Sequence, residues 1–206
     1  MAKTASSRKW LDRQHSDPYV KRAQREGYRS RAAYKLLEIQ EKDRIFRPGM
    51  RVLDLGAAPG SWSQIAARLV GPRGSVVALD LLPMDALAGV VVLQGDFRAP
   101  EMLEQLCETL GGEALDLVLS DMAPNITGMT VVDQPRSMYL VELALDLARS
   151  RLQPGGSLVV KVFQGTGFDE ILTELRRSFS KVVSRKPKSS RSQSRELYLV
   201  AKGFHP

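Results

Sequence analysis

Short apolar segments alternate with amphipathic ones along most of the chain, and this alternation constrains the fold more than any other feature. The pattern predicts strands over 51–55, 75–80, 90–96, 114–121 and 157–163, and helices over 61–70, 100–110, 134–152 and 168–179. A further helix is predicted over 30–43, with Ser30 as its N-cap. Such β-α alternation is typical of a doubly wound, mostly parallel sheet.

The C-terminal segments break this rhythm. Strands predicted over 181–187 and 196–204 have no helix between them, so we expect them to form a hairpin. The hairpin would complete a Rossmann-like α/β fold, a mostly parallel seven-stranded sheet with one antiparallel C-terminal strand. Residues 1–29 are polar and show no clear period, and we expect them to be a basic N-terminal arm. Residues 30–206 would then be a single domain.

The distribution of charge indicates a polyanionic partner. The chain of 206 residues carries 30 Lys and Arg against 23 Asp and Glu. Residues 1–35 hold ten basic and three acidic side chains, and residues 175–195 hold eight basic ones and no acid. Two separate clusters of one sign favour nucleic acid over a merely solvated surface. We therefore expect the arm and the loop within 181–195 to contact phosphate.

Several classes of protein are disfavoured by what the sequence lacks. No apolar stretch approaches the ~20 residues of a membrane-spanning helix, and the N-terminal sequence has no apolar signal region. One cysteine, Cys107, and two histidines leave no conventional Cys/His zinc site, so we expect no metal. A single cysteine also fits the reducing cytoplasm. No spare apolar surface helix stands out, so we expect a cytoplasmic monomer.

The segment DLGAAPGSW, residues 54–62, predicts a nucleoside site. A strand runs there into a Gly-containing turn and then a helix, and Asp80 ends the next strand, where it can reach ribose hydroxyls. Dinucleotides need backbone amides around the pyrophosphate, but Ala58 replaces a glycine and Pro59 lacks an amide. The loop therefore favours S-adenosylmethionine over NAD. Asp96 could then contact the adenine amino group, and Asp54 lies near the amino-acid end.

Three features bear on the acceptor atom. Cys107 lies in a predicted amphipathic helix, which argues against a cysteine nucleophile for base-carbon methylation. The stretch SDMAPN, 120–125, lacks the second proline and the aromatic residue that are common in base-amine methyltransferases. An alcohol acceptor needs general-base help, which is worth roughly 10²–10⁴ in rate. The sequence thus favours a hydroxyl.

Lys161 could provide that help. It lies in the apolar run LVVKVF, 158–163, where a buried ammonium must be paired, neutralised or used. Asp121 ends the neighbouring strand, Glu196 opens the last strand, and Lys35 lies in a helix that could cover this edge. At this stage the four side chains could equally form a structural ion-pair cluster. Lys161 could act as a neutral base or as a cation that orients the hydroxyl.

Eight motifs in order resemble the FtsJ-like (RrmJ) family of ribosomal RNA large subunit 2′-O-ribose methyltransferases. They are SDPYVKRAQREGYRSRAAYKLLEIQ, DLGAAPGSWSQ, DLLPMD, LQGDFR, SDMAPN, MYLVELAL, PGGSLVVKVFQG and RKPKSSRSQSRELYLVA. The resemblance runs from about Arg13 to the C-terminus. It implies the fold of S-adenosylmethionine-dependent methyltransferases, and as target a uridine in the A-loop of 23S ribosomal RNA within the large subunit.

The resemblance also implies the site residues. The family's catalytic tetrad falls on Lys35, Asp121, Lys161 and Glu196, with Lys161 as the proton acceptor. Its cofactor contacts fall on Gly60, Trp62, Asp80, Asp96 and Asp121. One departure is visible, because Ser61 stands where members usually have a second glycine. Serine suits a helix start, so we expect it to adjust the loop without removing the site.

Other interpretations of single residues and of the function are also compatible with the sequence. Trp62 could form a wall of the cofactor site or fill the core, and Tyr28 and Tyr34 could stack on RNA bases. A nicotinamide-dependent oxidoreductase would also use the sheet and Asp80. A non-catalytic RNA-binding assembly factor would explain both basic clusters. A methyltransferase for tRNA or an mRNA cap would share the fold and cofactor.

Overall fold

The predicted alternation forms one seven-stranded sheet between two layers of helices. The computed structural model describes residues 17–191 and 193–206, so most of the predicted arm lies outside the described residues. The strands are β1 Arg51–Leu55, β2 Ser75–Asp80, β3 Val90–Gln94, β4 Leu115–Ser120, β5 Leu152–Phe163, β6 Phe179–Arg185 and β7 Glu196–Phe204. The helices are α1 Pro18–Glu26, α2 Ala33–Asp43, α3 Ser61–Val70, α4 Pro100–Leu110, α5 Thr130–Arg151 and α6 Phe168–Ser178.

The sheet order is β3-β2-β1-β4-β5-β7-β6, and β1 to β5 are parallel. Strand β7 pairs antiparallel with both β5 and β6, which confirms the predicted hairpin and the antiparallel C-terminal strand. The order reverses direction between β1 and β4. Ligands of open α/β sheets bind at such a switch point, beyond the carboxyl ends of the strands.

Both faces of the sheet are covered. Buried side chains of α2 and α3 pack on one face, and those of α4, α5 and α6 on the other. Alternation along β5 is clear, because Val159 packs with the α2–α3 layer whereas Val160 and Val162 pack with the α4–α6 layer. By the same period Lys161 faces the α2–α3 layer. No helix in the described part of the chain is long and apolar enough to cross a membrane.

Helix α1 is the main element that was not predicted from the sequence. It lies within the stretch that we expected to be an arm without regular structure. Asp17 caps it by accepting a hydrogen bond from the Tyr19 amide at 2.9 Å, and Gly27 ends it in the left-handed region at φ 74°. Ala23 is its one buried residue, so its sequence carries almost no apolar period. The proposed boundary at residue 29 stays a prediction.

Other boundaries differ from the prediction, by one or two residues in β3, β4, β6 and α6 and by more elsewhere. Helix α2 begins at Ala33, and Ser30 lies in the preceding turn rather than at the N-cap. Helix α5 begins at Thr130 rather than at residue 134, and it contains Pro135. Strand β5 begins at Leu152, and its register against β4 shifts between Leu115 and Leu117, which accommodates the Pro-Gly-Gly turn.

Candidate active site

The period of the strands brings the predicted tetrad to one edge of the sheet. Leu117 and Leu119 face the α2–α3 layer, and Asp121, the next residue of that series, follows the end of β4. Lys161 on β5 pairs with Tyr198 on β7, and Glu196 opens β7 two residues earlier. Lys35 comes from α2 on the same face. Residues far apart in the sequence therefore meet because each side chain points to the same face of the sheet.

The tetrad is joined as two ion pairs. Lys161 Nζ lies 3.0 Å from Asp121 Oδ1 and also donates to the Asp121 carbonyl oxygen at 2.6 Å. Lys35 Nζ lies 2.8 Å from Glu196 Oε1. The Lys161 side chain is only 8% exposed and those of Lys35 and Glu196 are 13% exposed, so water screens these charges poorly. The two lysines and two carboxylates balance in charge.

The lysines hold both carboxylates in the ionised form. Burial opposes ionisation of Asp121, but the ammonium groups of Lys161 and Lys35 outweigh it and hold the pKa of Asp121 below its usual value. Burial likewise opposes ionisation of Glu196, and Lys35 outweighs it, so the pKa of Glu196 is also lowered. Two fixed negative charges therefore face the two ammonium groups.

Two further side chains complete the cluster, and neither was predicted from the sequence. The Tyr198 hydroxyl donates to Asp121 Oδ1 at 2.7 Å, and burial together with the Asp121 charge raises the pKa of Tyr198 well above its usual value. Ser190 Oγ donates to Glu196 Oε1 at 2.8 Å. The sequence pattern predicts only that Tyr198 is a buried strand residue and that Ser190 is a loop residue. Only their placement beside Asp121 and Glu196 distinguishes them.

The loop 56–60, which we call the cofactor loop, links β1 to α3 beside this cluster. Gly56 and Gly60 have φ of 71° and 105°, a region that disfavours side chains. A Cβ on Gly56 would lie 2.8 Å from Met122 Cγ, so glycine is also needed for the close approach to the end of β4. Asp80 braces the loop, because its Oδ2 accepts from the Ala58 amide at 2.9 Å. Its Oδ1 accepts from the Leu82 amide at 2.8 Å.

Asp54 lies fully buried at the end of β1. Its Oδ2 accepts from Ser63 Oγ at 2.6 Å, whereas Oδ1 has no hydrogen-bond partner among the described residues. Burial raises the pKa of Asp54 to about 7 despite the Ser63 hydrogen bond, and the charges of Asp121 and Asp80 raise it further. An unpartnered buried carboxyl between two other carboxyls is a position that a cation would stabilise.

The other implied cofactor residues lie nearby in different settings. Asp96 follows β3, and hydrogen bonds from the Arg98 side chain and amide lower its pKa to about 2. The Trp62 indole is 2% exposed, packs 5.6 Å from the Tyr198 ring and donates to the Ala32 carbonyl at 2.8 Å. Trp62 thus packs in the core, which is one of the two roles that the sequence left open. A cofactor contact at Trp62 stays a prediction.

Ser61, the departure from the family pattern, begins α3 and is buried. Its hydroxyl shares a hydrogen bond of 2.8 Å with that of Ser30, in the turn before α2. The side chain therefore points away from the cofactor loop towards the N-terminal segment. The expectation that serine leaves the cofactor site in place stays a prediction.

The two basic clusters meet beside the tetrad. Arg31 donates both to the Asp17 carboxylate and to the Ser189 carbonyl, and Glu38 accepts from the amides of Lys188 and Ser189 at 2.7 and 2.9 Å. The start of α1 and the loop 187–190 are thereby held against α2. The loop that we expected to lie on phosphate also reaches the tetrad directly through Ser190.

Some predicted RNA contacts are already engaged within the protein. Arg185 pairs with Asp43 at 2.6 Å, and Lys186 donates to the Ser194 and Glu196 carbonyls. Tyr34 is 3% exposed and donates to Glu26, so its ring is not free to stack on a base. Exposed cations include Lys21 and Arg25 of α1 and Lys188 and Arg191 near β7. Arg22 and Arg195 are also exposed, but Arg22 pairs with Glu26 at 2.8 Å and Arg195 donates to the Thr130 hydroxyl at 3.2 Å.

Known proteins share this fold and most of this sequence. Residues 28–204 match the family model described as FtsJ-like methyltransferase. A ribosomal RNA large subunit methyltransferase E from Alkalilimnicola ehrlichii is 63% identical, over 96% of this chain and 95% of its own. The protein of the same name from Pseudomonas aeruginosa is 56% identical, over 99% of both chains.

Solved structures agree with the sequence relatives. The structure of a ribosomal RNA methyltransferase from Plasmodium falciparum superposes with a TM-score of 0.77 at 32% identity, covering 86% of this chain and 98% of that one. Fibrillarin from Aeropyrum pernix, with S-adenosylmethionine bound, superposes with a TM-score of 0.55 at 18% identity, over 82% of this chain and 75% of that one, and shows the fold alone. On the matched domain and the close relatives together, this chain belongs to the FtsJ-like methyltransferase family.

Proposed function

We propose that this protein transfers a methyl group from S-adenosylmethionine to the ribose 2′-oxygen of a uridine in the A-loop of 23S ribosomal RNA, within the large ribosomal subunit. The observation that carries the proposal is the pairing of Lys161 with Asp121 and of Lys35 with Glu196 next to the cofactor loop. The names of the close relatives support the large-subunit RNA as substrate. We further propose that it works as a cytoplasmic monomer.

The residues around the cofactor loop fit S-adenosylmethionine. The cofactor carries an ammonium and a sulfonium, and the carboxyls of Asp54, Asp80 and Asp121 lie at or next to the carboxyl ends of the adjacent strands β1, β2 and β4. Asp54 Oδ1, buried without a partner among the described residues, is the atom that a nearby cation would most stabilise. We propose Gly60, Trp62, Asp80, Asp96 and Asp121 as the cofactor contacts.

The same loop does not suit a dinucleotide. Pro59 has no amide hydrogen, and the amide of Ala58 already donates to Asp80. A pyrophosphate would therefore find two of the loop's donors missing or occupied. This argues against the nicotinamide-dependent oxidoreductase, which would otherwise use the same sheet and the same acid.

The tetrad can activate a hydroxyl group. When bound, S-adenosylmethionine supplies an activated methyl group, so the protein must orient the acceptor and remove its proton. Lys161 Nζ is fixed by two hydrogen bonds to Asp121, which aim it along the carboxyl edge of the sheet. We propose that Lys161 first releases one of its own protons to solvent, so that its neutral Nζ can accept the 2′-hydroxyl proton during methyl transfer. Lys35 and Glu196 would hold the ribose, with Ser190 fixing the rotamer of Glu196.

An assay with several acceptors tests this proposal. Purified protein is incubated with radiolabelled S-adenosylmethionine and, separately, with large subunits that lack the modification, small subunits and tRNA. We expect about one methyl group per large subunit and none in the other acceptors. Label in tRNA would replace the proposed substrate. Binding to large subunits without label would favour an assembly factor, and calorimetric binding of NAD instead of S-adenosylmethionine would favour the oxidoreductase.

A further inference from the structure

The segment 27–32 between α1 and α2, here called the connector, is tied closely to the cofactor loop and α3. The side-chain amide of Gln64 accepts from the Arg29 amide at 2.9 Å and donates to the Gly27 carbonyl at 3.1 Å. Ser30 bonds to Ser61 at 2.8 Å, and Trp62 donates to the Ala32 carbonyl. The connector leads directly into α2, which carries Lys35.

Arg29 extends this contact to a second loop. Its Nη1 donates to the Pro59 carbonyl at 3.1 Å and to the Asp85 carbonyl at 2.9 Å, and its Nη2 donates to the Ala86 carbonyl at 2.9 Å. Pro59 lies in the cofactor loop after β1, whereas Asp85 and Ala86 lie after β2 and Asp80. One guanidinium therefore bridges the two loops that flank the proposed nucleoside site.

Gly60 makes room for this bridge. A Cβ at position 60 would lie 2.7 Å from Arg29 Nη1 and 3.3 Å from its Cδ. The guanidinium thus occupies the space beside the loop that any side chain at 60 would need. The φ of 105° at Gly60 disfavours such a side chain independently. The glycine and the arginine fit together as one feature.

The sequence alone assigns Arg29 a different role. It is one of ten basic residues among the first 35, and we had expected that group to contact phosphate. In the structure its guanidinium makes three hydrogen bonds to backbone carbonyls and forms no ion pair with a carboxylate among the described residues. Arginine suits such a bridge because its planar donors are fixed relative to one another.

We propose that Arg29 is a positioning residue for the cofactor, which holds the loops after β1 and β2 at the spacing the nucleoside needs, and that it is not an RNA-phosphate contact. The inference rests on the proposed function for the identity of the cofactor. Because the connector continues into α2, the bridge also fixes the start of the helix that presents Lys35 to the tetrad.

The test compares Arg29→Gln and Arg29→Lys with Arg25→Gln, an exposed cation at the end of α1. Affinity for S-adenosylmethionine is measured by calorimetry, RNA affinity by titration at several salt concentrations, and melting temperature by calorimetric scan. We expect both Arg29 variants to bind the cofactor about 10–100-fold more weakly, as for one or two lost charged hydrogen bonds. The KM for cofactor should rise more than kcat falls, and lysine should not rescue.

The outcomes separate the possible roles. RNA affinity and its salt dependence should be unchanged in Arg29→Lys and reduced in Arg25→Gln. Unchanged cofactor affinity with weaker RNA binding in Arg29→Gln would overturn the proposal in favour of a phosphate contact. A lower melting temperature with wild-type cofactor affinity would overturn it in favour of a purely structural role. Failure of the wild-type protein to bind S-adenosylmethionine would instead refute the proposed function.

Discussion

Replacing Lys161 by methionine should separate catalysis from stability. Methionine keeps the bulk of the side chain but removes the ammonium that pairs with Asp121 at 3.0 Å. If Lys161 accepts the acceptor proton, activity should fall by about 10²–10⁴ or more. Affinity for S-adenosylmethionine should stay within a few-fold, because the residues of the cofactor loop are untouched.

The same change should also cost stability. Removing one partner of a buried pair costs about 3–5 kcal/mol, and we expect the lower end because Lys35 still favours the Asp121 charge. For a chain of this size, that is roughly 6–12 °C in melting temperature. The pKa of Asp121 is lowered in the folded protein, so the stability from this pair is present above its ordinary pKa of 3.8 and is lost as pH falls through the folded value. The deficit of the variant should therefore shrink on acidification.

A double variant provides the matched control. Lys161→Met with Asp121→Asn removes both charges, so it should recover most of the lost melting temperature while remaining inactive. Activity is measured as methyl incorporation into large subunits, and stability by calorimetry at neutral pH and at acidic pH values below 3.8. Activity of Lys161→Met within a few-fold of wild type would refute Lys161 as the proton acceptor. A double variant no more stable than the single one would refute the ion-pair reasoning.

Three other changes probe the rest of the site. Ser190→Ala removes the hydrogen bond to Glu196, which is worth about 1 kcal/mol. If that energy is lost from the transition state, kcat should fall roughly fivefold while the affinity for the cofactor stays unchanged. An unchanged kcat in single-turnover assays would contradict this role of Ser190. Burial raises the pKa of Asp54 to about 7, so the apoprotein should lose up to about 4 kcal/mol of stability as pH rises from about 4 to 7. Asp54→Asn should flatten this dependence of stability on pH in calorimetric scans. Equal pH dependence in the variant and the wild type would contradict this assignment. Exchanging Lys21 and Arg25 for glutamine should weaken RNA binding and lower its salt slope by up to about 2 without affecting cofactor binding, as titrations at several salt concentrations would show; an unchanged slope would place the phosphates elsewhere.

The sequence predicts most of the fold because buried parallel strands are apolar runs bounded by turn residues. The bounds of β1, β2, α3, α4 and β7 match the prediction to the residue. The tetrad was predictable for a related reason. Asp121 follows the end of β4 and Glu196 begins β7. Lys161 is conspicuous for another reason, because it is a charge inside the apolar run LVVKVF.

The remaining features depend on tertiary contacts that leave no periodic signal. Helix α1 buries one alanine, so its exposed basic residues hide it. Tyr198 is the central tyrosine of ELYLV and reads as core, and the hydroxyl at Asp121 appears only once β5 and β7 are paired. Arg29 is indistinguishable in sequence from its basic neighbours. Its acceptors are backbone carbonyls at residues 59, 85 and 86, and no residue type marks a free carbonyl.

The position of the transferred methyl group tests the central claim most directly. Large subunits are labelled with radioactive S-adenosylmethionine by the purified protein, and the RNA is then digested in alkali. Alkaline cleavage requires a free 2′-hydroxyl, so a 2′-O-methylated nucleotide survives as a labelled dinucleotide. We predict that the label is found in that dinucleotide and is absent when Lys161→Met replaces the wild-type protein. Label released in mononucleotides would show methylation of a base and would contradict the role assigned to the tetrad.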